Sequence, residues 1–371
     1  MRTALSLLLT LALLPAALDA QKKKKKKPEV EITQTLEVLP DPPASVTVET
    51  ARLEFLVSPL SAKGLLSQQI RDALKSLRSQ AGSRPIVKVR AFVSGTGDQR
   101  RVQSIVSETF AEKKQPLPAV STIQVGQLPL EGAQVVLEAA VTARKPVNPQ
   151  GLAFLSGMGG IGTEPPEKLS KMLDKAIADL TRAARAAGSE ATDVTRVTCL
   201  LSAIEPIAEV RSRIAAAFPS AVLTAVQAQR LHDKALAECE AVVRLRTRPA
   251  AALVMLNPPE MNPSPMYSKA ALVGSEKVIL TGTQLAFHYE DKDVQLAFQR
   301  MAKVLEAAQS SMKHVAFSSL YSLTNPMSAK IRAVRFDHYD KARPPASTLL
   351  LFEGLPSMDA SFAIELVAVP R

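Results

Sequence analysis

The segment Gly157-Met158-Gly159-Gly160-Ile161-Gly162 has the glycine spacing of a loop whose backbone N–H groups cradle phosphate. No Gly-Lys-Ser/Thr ending follows it, so a flexible strand-to-helix connection is the plainer reading. His288, His314 and His338 have neither ligand-like spacing nor a partner Cys, and no metal site is expected. No Ser/His/Asp order stands out, and nothing in the chain calls for a cofactor. Cys199 and Cys239 could bridge in an oxidising compartment or serve as two small buried hydrophobes. Three glutamates, Glu138, Glu240 and Glu365, fall at corresponding places in an internal repeat.

The repeat organises the chain. Pro118-Ala119 aligns with Pro345-Ala346, Leu128-Pro129 with Leu355-Pro356, Ala133 with Ala360 and Glu138 with Glu365, without a gap. A more diverged middle copy aligns Glu240-Ala241-Val242-Val243 with Glu138-Ala139-Ala140-Val141, 102 residues upstream.

Each copy carries the same pattern. Leu66, Ile70, Leu74 and Leu77 recur at helical spacing up to Gly82; Leu169, Met172, Leu173, Ala176, Ile177 and Leu180 do so up to Gly188; Val294, Phe298, Met301, Val304, Leu305 and Ala308 form the third such helix. β-rich runs follow at 86–93, 194–201 and 315–323. In the first, Val87, Val89, Ala91 and Val93 alternate with Lys88 and Arg90, which predicts a half-buried strand with its charges outward. Second helices are expected near 99–113, 207–217 and 328–341, then two closing strands, as at 121–128 and 134–143. An opening hairpin is expected at Ala271-Leu272-Val273 and 277–281 around Gly274-Ser275. The unit reads as ββαβαββ, an α+β sandwich of about 100 residues.

Before the repeats, Arg2 and the apolar stretch from Ala4 to Leu14, ended by Pro15 and followed by Leu18-Asp19-Ala20, predict a cleaved secretory signal over 1–20; a membrane anchor is the alternative. The location expected is therefore secreted or periplasmic. Residues 21–45 form a Lys/Pro-rich tether, because the six consecutive ammonium groups Lys22 to Lys27 repel one another and cannot pack. Repeats then occupy 46–147, 148–249 and 250–371, with Pro-rich boundaries at 145–149 and 248–265. Of the formal net charge of +11 over 371 residues, the six lysines supply more than half. The basic balance is thus a property of the tail, which could make a weak anionic-surface contact. With 4% aromatics, no Trp and no basic-aromatic interleaving, no nucleic-acid partner is expected.

Pro265-Met266-Tyr267-Ser268-Lys269-Ala270, followed by 278–284 (Val-Ile-Leu-Thr-Gly-Thr-Gln), resembles the opening of Rid/YjgF proteins, the reactive intermediate deaminases also labelled L-PSP endoribonucleases. Phe154-Leu155-Ser156-Gly157-Met158 is similar in the middle copy, and Phe55-Leu56-Val57-Ser58 faintly so in the first. The resemblance implies a chorismate-mutase-like fold, three tandem units arranged as an intrachain pseudo-trimer in a monomeric chain, and ligand clefts between units. It further implies hydrolysis of enamines and imines, with an Arg after Pro-Ala clamping the substrate carboxylate through two parallel hydrogen bonds.

That Arg is missing. Its positions are Val120, Ser347 and either Ala221 or Val222. Losing a charged bidentate contact costs about 1.5–3 kcal/mol. Arg343, four residues before Ser347, could reach the same space or simply be solvated. Glu138, Glu240 and Glu365 match the family's water-positioning acid, though an acid at a strand edge can equally be exposed or paired. Tyr267 matches a cleft Tyr, and Ser156-Gly157 and Thr281-Gly282 could offer N–H groups to an anion. The expected function is a Rid-like pseudoenzyme that binds a small-molecule ligand, anionic or neutral. The alternative is an active deaminase on a substrate without a carboxylate.

Overall fold

The computed structural model describes residues 38–95, 97–162, 168–230 and 234–371. The signal expected over 1–20 and the lysine run Lys22 to Lys27 lie outside them. Among the described residues no helix is long and apolar enough to cross a membrane.

Residues 39–371 form one compact α+β unit of three sheets and six α-helices. The first sheet has the order β2-β5-β3-β4, from β2 (Leu53–Val57), β3 (Ile86–Ser94), β4 (Ala119–Val125) and β5 (Val135–Thr142). The second runs β10-β11-β6-β9-β7-β8, from β6 (Leu152–Ile161), β7 (Val194–Leu201), β8 (Val222–Gln227), β9 (Leu236–Arg244), β10 (Leu253–Leu256) and β11 (Ala270–Val273). The third runs β1-β12-β16-β14-β15, from β1 (Ser45–Glu49), β12 (Lys277–Thr281), β14 (Val315–Ser322), β15 (Ala346–Leu351) and β16 (Ala360–Ala368); β13 (Gln284–Phe287) also pairs with β16. In every sheet a central strand lies between an antiparallel closing strand and a parallel neighbour: β5-β3-β4, β9-β7-β8 and β16-β14-β15.

The helices are α1 (Leu66–Ala81), α2 (Arg100–Ala111), α3 (Leu169–Ala186), α4 (Ile207–Ala217), α5 (Asp291–Ala307) and α6 (Asn325–His338). The apolar stripes read from sequence are their buried faces: Ile70, Leu74 and Leu77 of α1, for example, pack on Val89, Ala91, Leu137 and Ala139. Gly82 ends α1 because its φ of +60° suits a residue without Cβ. Each sheet turns one face to its helices, giving three separate cores. The other faces meet one another through Val87, Phe154, Val242 and Phe317 at one level and Phe92, Val136, Leu200 and Tyr321 at another.

Three expectations are corrected. The strands at 270–273 and 277–281 do not form a hairpin: β11 pairs with β10 and β6 in the second sheet, while β12 pairs with β1 and β16 in the third. Nearness in sequence suggested a local pair, but β11 has partners on both sides in the second sheet and β12 on both sides in the third. The glycine-rich segment is no connection either. Gly157, Gly159 and Gly160 are part of β6, and a Cβ on Gly159 would lie 2.0 Å from the Ala237 carbonyl oxygen. Lys88 and Arg90 are not on a solvent face, since β3 is buried along its whole length.

Candidate functional site

The three glutamates sit one per sheet, on the closing strands β5, β9 and β16. Their register partners on the central strands are Arg90, Thr198 and Ser319. Their side chains point to the faces where the sheets meet, between the two apolar levels, and are 4%, 2% and 8% exposed for Glu138, Glu240 and Glu365.

Buried carboxylates need partners, and these have cations. Arg90 Nε donates to Glu138 Oε2 at 2.7 Å and its Nη2 to Glu240 Oε1 at 2.9 Å, so one guanidinium from the first sheet bridges acids of two sheets. Arg196 Nη2 adds a contact to Glu240 at 3.3 Å. Lys88 Nζ donates to Glu365 Oε2 at 3.1 Å, to Ser121 Oγ at 2.6 Å and to the Thr281 carbonyl at 2.5 Å. Thr198 and Thr348 donate to Glu138 and Glu240 at 2.6 and 2.8 Å. A cavity of only about 40 Å³ remains beside Lys88, Arg90, Glu138 and Glu365, room for a water or two.

The electrostatics follow from this pairing. Burial by itself pushes the Glu138 carboxyl up, but Arg90, then Arg196 and the Thr198 hydroxyl, hold it below the usual carboxylate range. Burial likewise opposes ionisation of Glu365, and Lys88 and Arg90 outweigh it. Lys88 itself is lowered, because burial outweighs its attraction to Glu365. Acids held ionised and already bonded to protein cations are poor proton donors, and their lone pairs are not free to orient a water.

The register also aligns the three positions where the resemblance expects an arginine. Val120, Leu223 and Ser347 lie opposite Val89, Val197 and Ser318 at equivalent points of the three sheets. The middle residue is therefore Leu223, one past Val222 and two past Ala221; the gap in that diverged copy hid it. Each position abuts residues of another sheet. Ser347 N–H donates to Ser156 Oγ at 2.8 Å. A Cβ on Gly282 would lie 2.9 Å from the Val120 carbonyl oxygen. Leu223 faces Val57, Ser58 and Leu60 across a cavity of about 160 Å³, which Val136 and the exposed Arg211 of α4 also line.

The predicted anion donors are engaged. Ser156 N–H donates to the Lys269 carbonyl at 3.0 Å and Gly282 N–H to the Ala44 carbonyl at 2.8 Å. Thr281 is buried, its hydroxyl accepting from Leu366 N–H at 2.9 Å. Tyr267 is half-buried and accepts from Lys269 Nζ at 3.3 Å. Arg343 is paired with Asp340 at 3.1 Å and is 71% exposed. Cys199 and Cys239, register partners on β7 and β9, form a disulfide. Sequence reasoning missed Lys88, Arg90 and Arg196, whose charge alone was no sign of burial. It also missed Glu238, whose carboxyl occupies the space a Cβ on Gly157 would need and is pushed up to about 8, first by burial and then by Glu240.

No family model matches the chain, and no curated protein matches it. Several solved structures are similar to part of it. A protein of unknown function of the conserved Rid family, YyfB from Yersinia pestis, is 18% identical and covers 32% of this chain and 99% of its own, with a TM-score of 0.29. A YjgF-family member from Neisseria meningitidis is 16% identical over 32% of this chain and 95% of its own, TM-score 0.24. RidA from an Antarctic Psychrobacter is 16% identical over 25% of this chain and 80% of its own, TM-score 0.23.

Proposed function

We propose that this chain is an exported Rid-like pseudoenzyme: three units in an intrachain pseudo-trimer, without deaminase chemistry, binding a small molecule between units. The tandem reading is supported by the recurring motifs and by one strand order repeated in three sheets. Loss of chemistry is supported by one observation above all. Each acid that the resemblance would make catalytic is buried and bonded to a lysine or arginine of the chain. The absence of arginine at Val120, Leu223 and Ser347 removes the substrate clamp as well.

The binding site in this reading is the cavity between the first and second units. Val57, Leu60, Val136 and Leu223 give it apolar walls, and Arg211 puts one cation at its rim, which suits a small apolar body carrying a negative group. Export rests on the N-terminal sequence, and the mass of the mature chain from its native host tests it.

The function is tested by ammonia release from a short-lived imino acid generated in situ. Wild type is compared with Val120→Arg, Leu223→Arg and Ser347→Arg. Wild type is expected to be silent. Activity above the buffer rate in wild type would overturn the pseudoenzyme reading in favour of a deaminase that works without the clamp. Binding is tested separately, by titrating small apolar carboxylates such as benzoate against wild type and Arg211→Ala. Undiminished affinity in the variant would remove Arg211 and its cavity from the account.

A further inference from the structure

The cations at the centre of the molecule have carboxylates to meet. Arg335 does not. It lies on the inner face of α6 with 2% of its surface exposed, and its Nε and Nη2 have no hydrogen-bond partner. Its Cζ stands 5.5 Å from the centre of the Tyr339 ring. No ion pair joins it to an acid among the described residues. The groups that act on its charge are Tyr339, Arg332 and Tyr267, none of them a carboxylate. Burial lowers its pKa, yet a guanidinium stays protonated in proteins, so a positive charge is held here without a counterion.

The free atoms have a geometry. Nε and Nη2 form one edge of the guanidinium, where two parallel N–H groups match the two oxygens of a carboxylate or phosphate. The ring it faces is engaged elsewhere: the Tyr339 and Ser318 hydroxyls meet at 2.8 Å. That bond leaves Arg335 with the ring contact to Tyr339. An uncompensated buried cation is strongly unfavourable, and an anion on that edge removes the penalty.

We propose that Arg335 is the anion-binding residue of a second site, taking the carboxylate or phosphate oxyanion of a small molecule on its Nε–Nη2 edge, between Tyr339 and Tyr267. The site belongs to the third unit and does not depend on the cavity beside Leu223.

The test is titration calorimetry of the full mature chain with acetate, benzoate and inorganic phosphate, alongside thermal melting in each. Wild type is expected to bind at least one probe saturably, with a rise in Tm. Preference for benzoate over phosphate assigns a carboxylate ligand, and the reverse a phosphate. Arg335→Met is expected to weaken binding roughly tenfold or more, because the charged bidentate contact is lost. Arg335→Lys keeps charge and length, and is expected to bind more weakly than wild type because an ammonium cannot offer two parallel donors. Absence of saturable binding in wild type overturns the proposal, as does undiminished affinity in both Arg335 variants. Loss in Arg211→Ala with retention in Arg335→Met would place the anion in the other cavity.

Discussion

Arg90 and Glu240, 150 residues apart in the chain and in different sheets, meet at 2.9 Å with the guanidinium 6% and the carboxylate 2% exposed. The same arginine holds Glu138. Removing it leaves Glu138 without its bonded cation and Glu240 with Arg196 alone. Arg90→Met is expected to lower unfolding free energy by about 3–5 kcal/mol, read from denaturant titration. Adding Glu138→Gln and Glu240→Gln should recover part of that loss. A single variant as stable as wild type would mean that the bridge contributes nothing.

Acid sensitivity follows from the same cluster. Glu138 and Glu365 have folded pKa values below their unfolded ones, so their contribution is present above the unfolded value of about 4.3 and is lost as pH falls through the lower folded value. Wild type should therefore hold its stability to about pH 4 and lose it steeply below. Glu365→Gln should be less stable at pH 7 but show a flatter acid limb.

Glu238 behaves oppositely. Its folded pKa is raised to about 8, so the stability it contributes is complete below the unfolded value and is lost as pH rises through about 8. Glu238→Gln should melt near wild type at pH 5 and progressively higher than wild type as the pH is raised to 9. Parallel melting curves across that range would show that the carboxyl is solvated.

The disulfide can be checked by mass. Alkylation without reductant should leave Cys199 and Cys239 unmodified, and reduction of the 40-residue loop should cost up to about 4 kcal/mol in the chain-entropy description. A Tm unchanged by reductant would make the bridge incidental.

Much of this was legible in the residues, and the boundary is physical. Helical periodicity located α1, α3 and α5 because each buries one stripe on its own sheet, a relation local in sequence. The positions of Glu138, Glu240 and Glu365 followed from the repeat. Their surroundings did not. Lys88 and Arg90 alternate with apolar residues as solvent-facing charges do, and what buries them are acids on β9 and β16, far along the chain. The strands β11 and β12 misled for a related reason: a two-residue Gly274-Ser275 turn is a hairpin signal only when both strands stay in one sheet. Leu223 escaped because the alignment of a diverged copy carries a gap that register does not.

The parting of β11 and β12 has a temporal side. β1 is made well before its partner β12, which spans Lys277–Thr281, and the closing strand that backs β12 ends at Ala368. The second sheet likewise waits for β11 at Ala270–Val273, long after its own closing strand has been made. Sheets linked this way cannot be completed one at a time as they emerge. β16 belongs to the sheet that holds β1, so that sheet is complete only once both have been made.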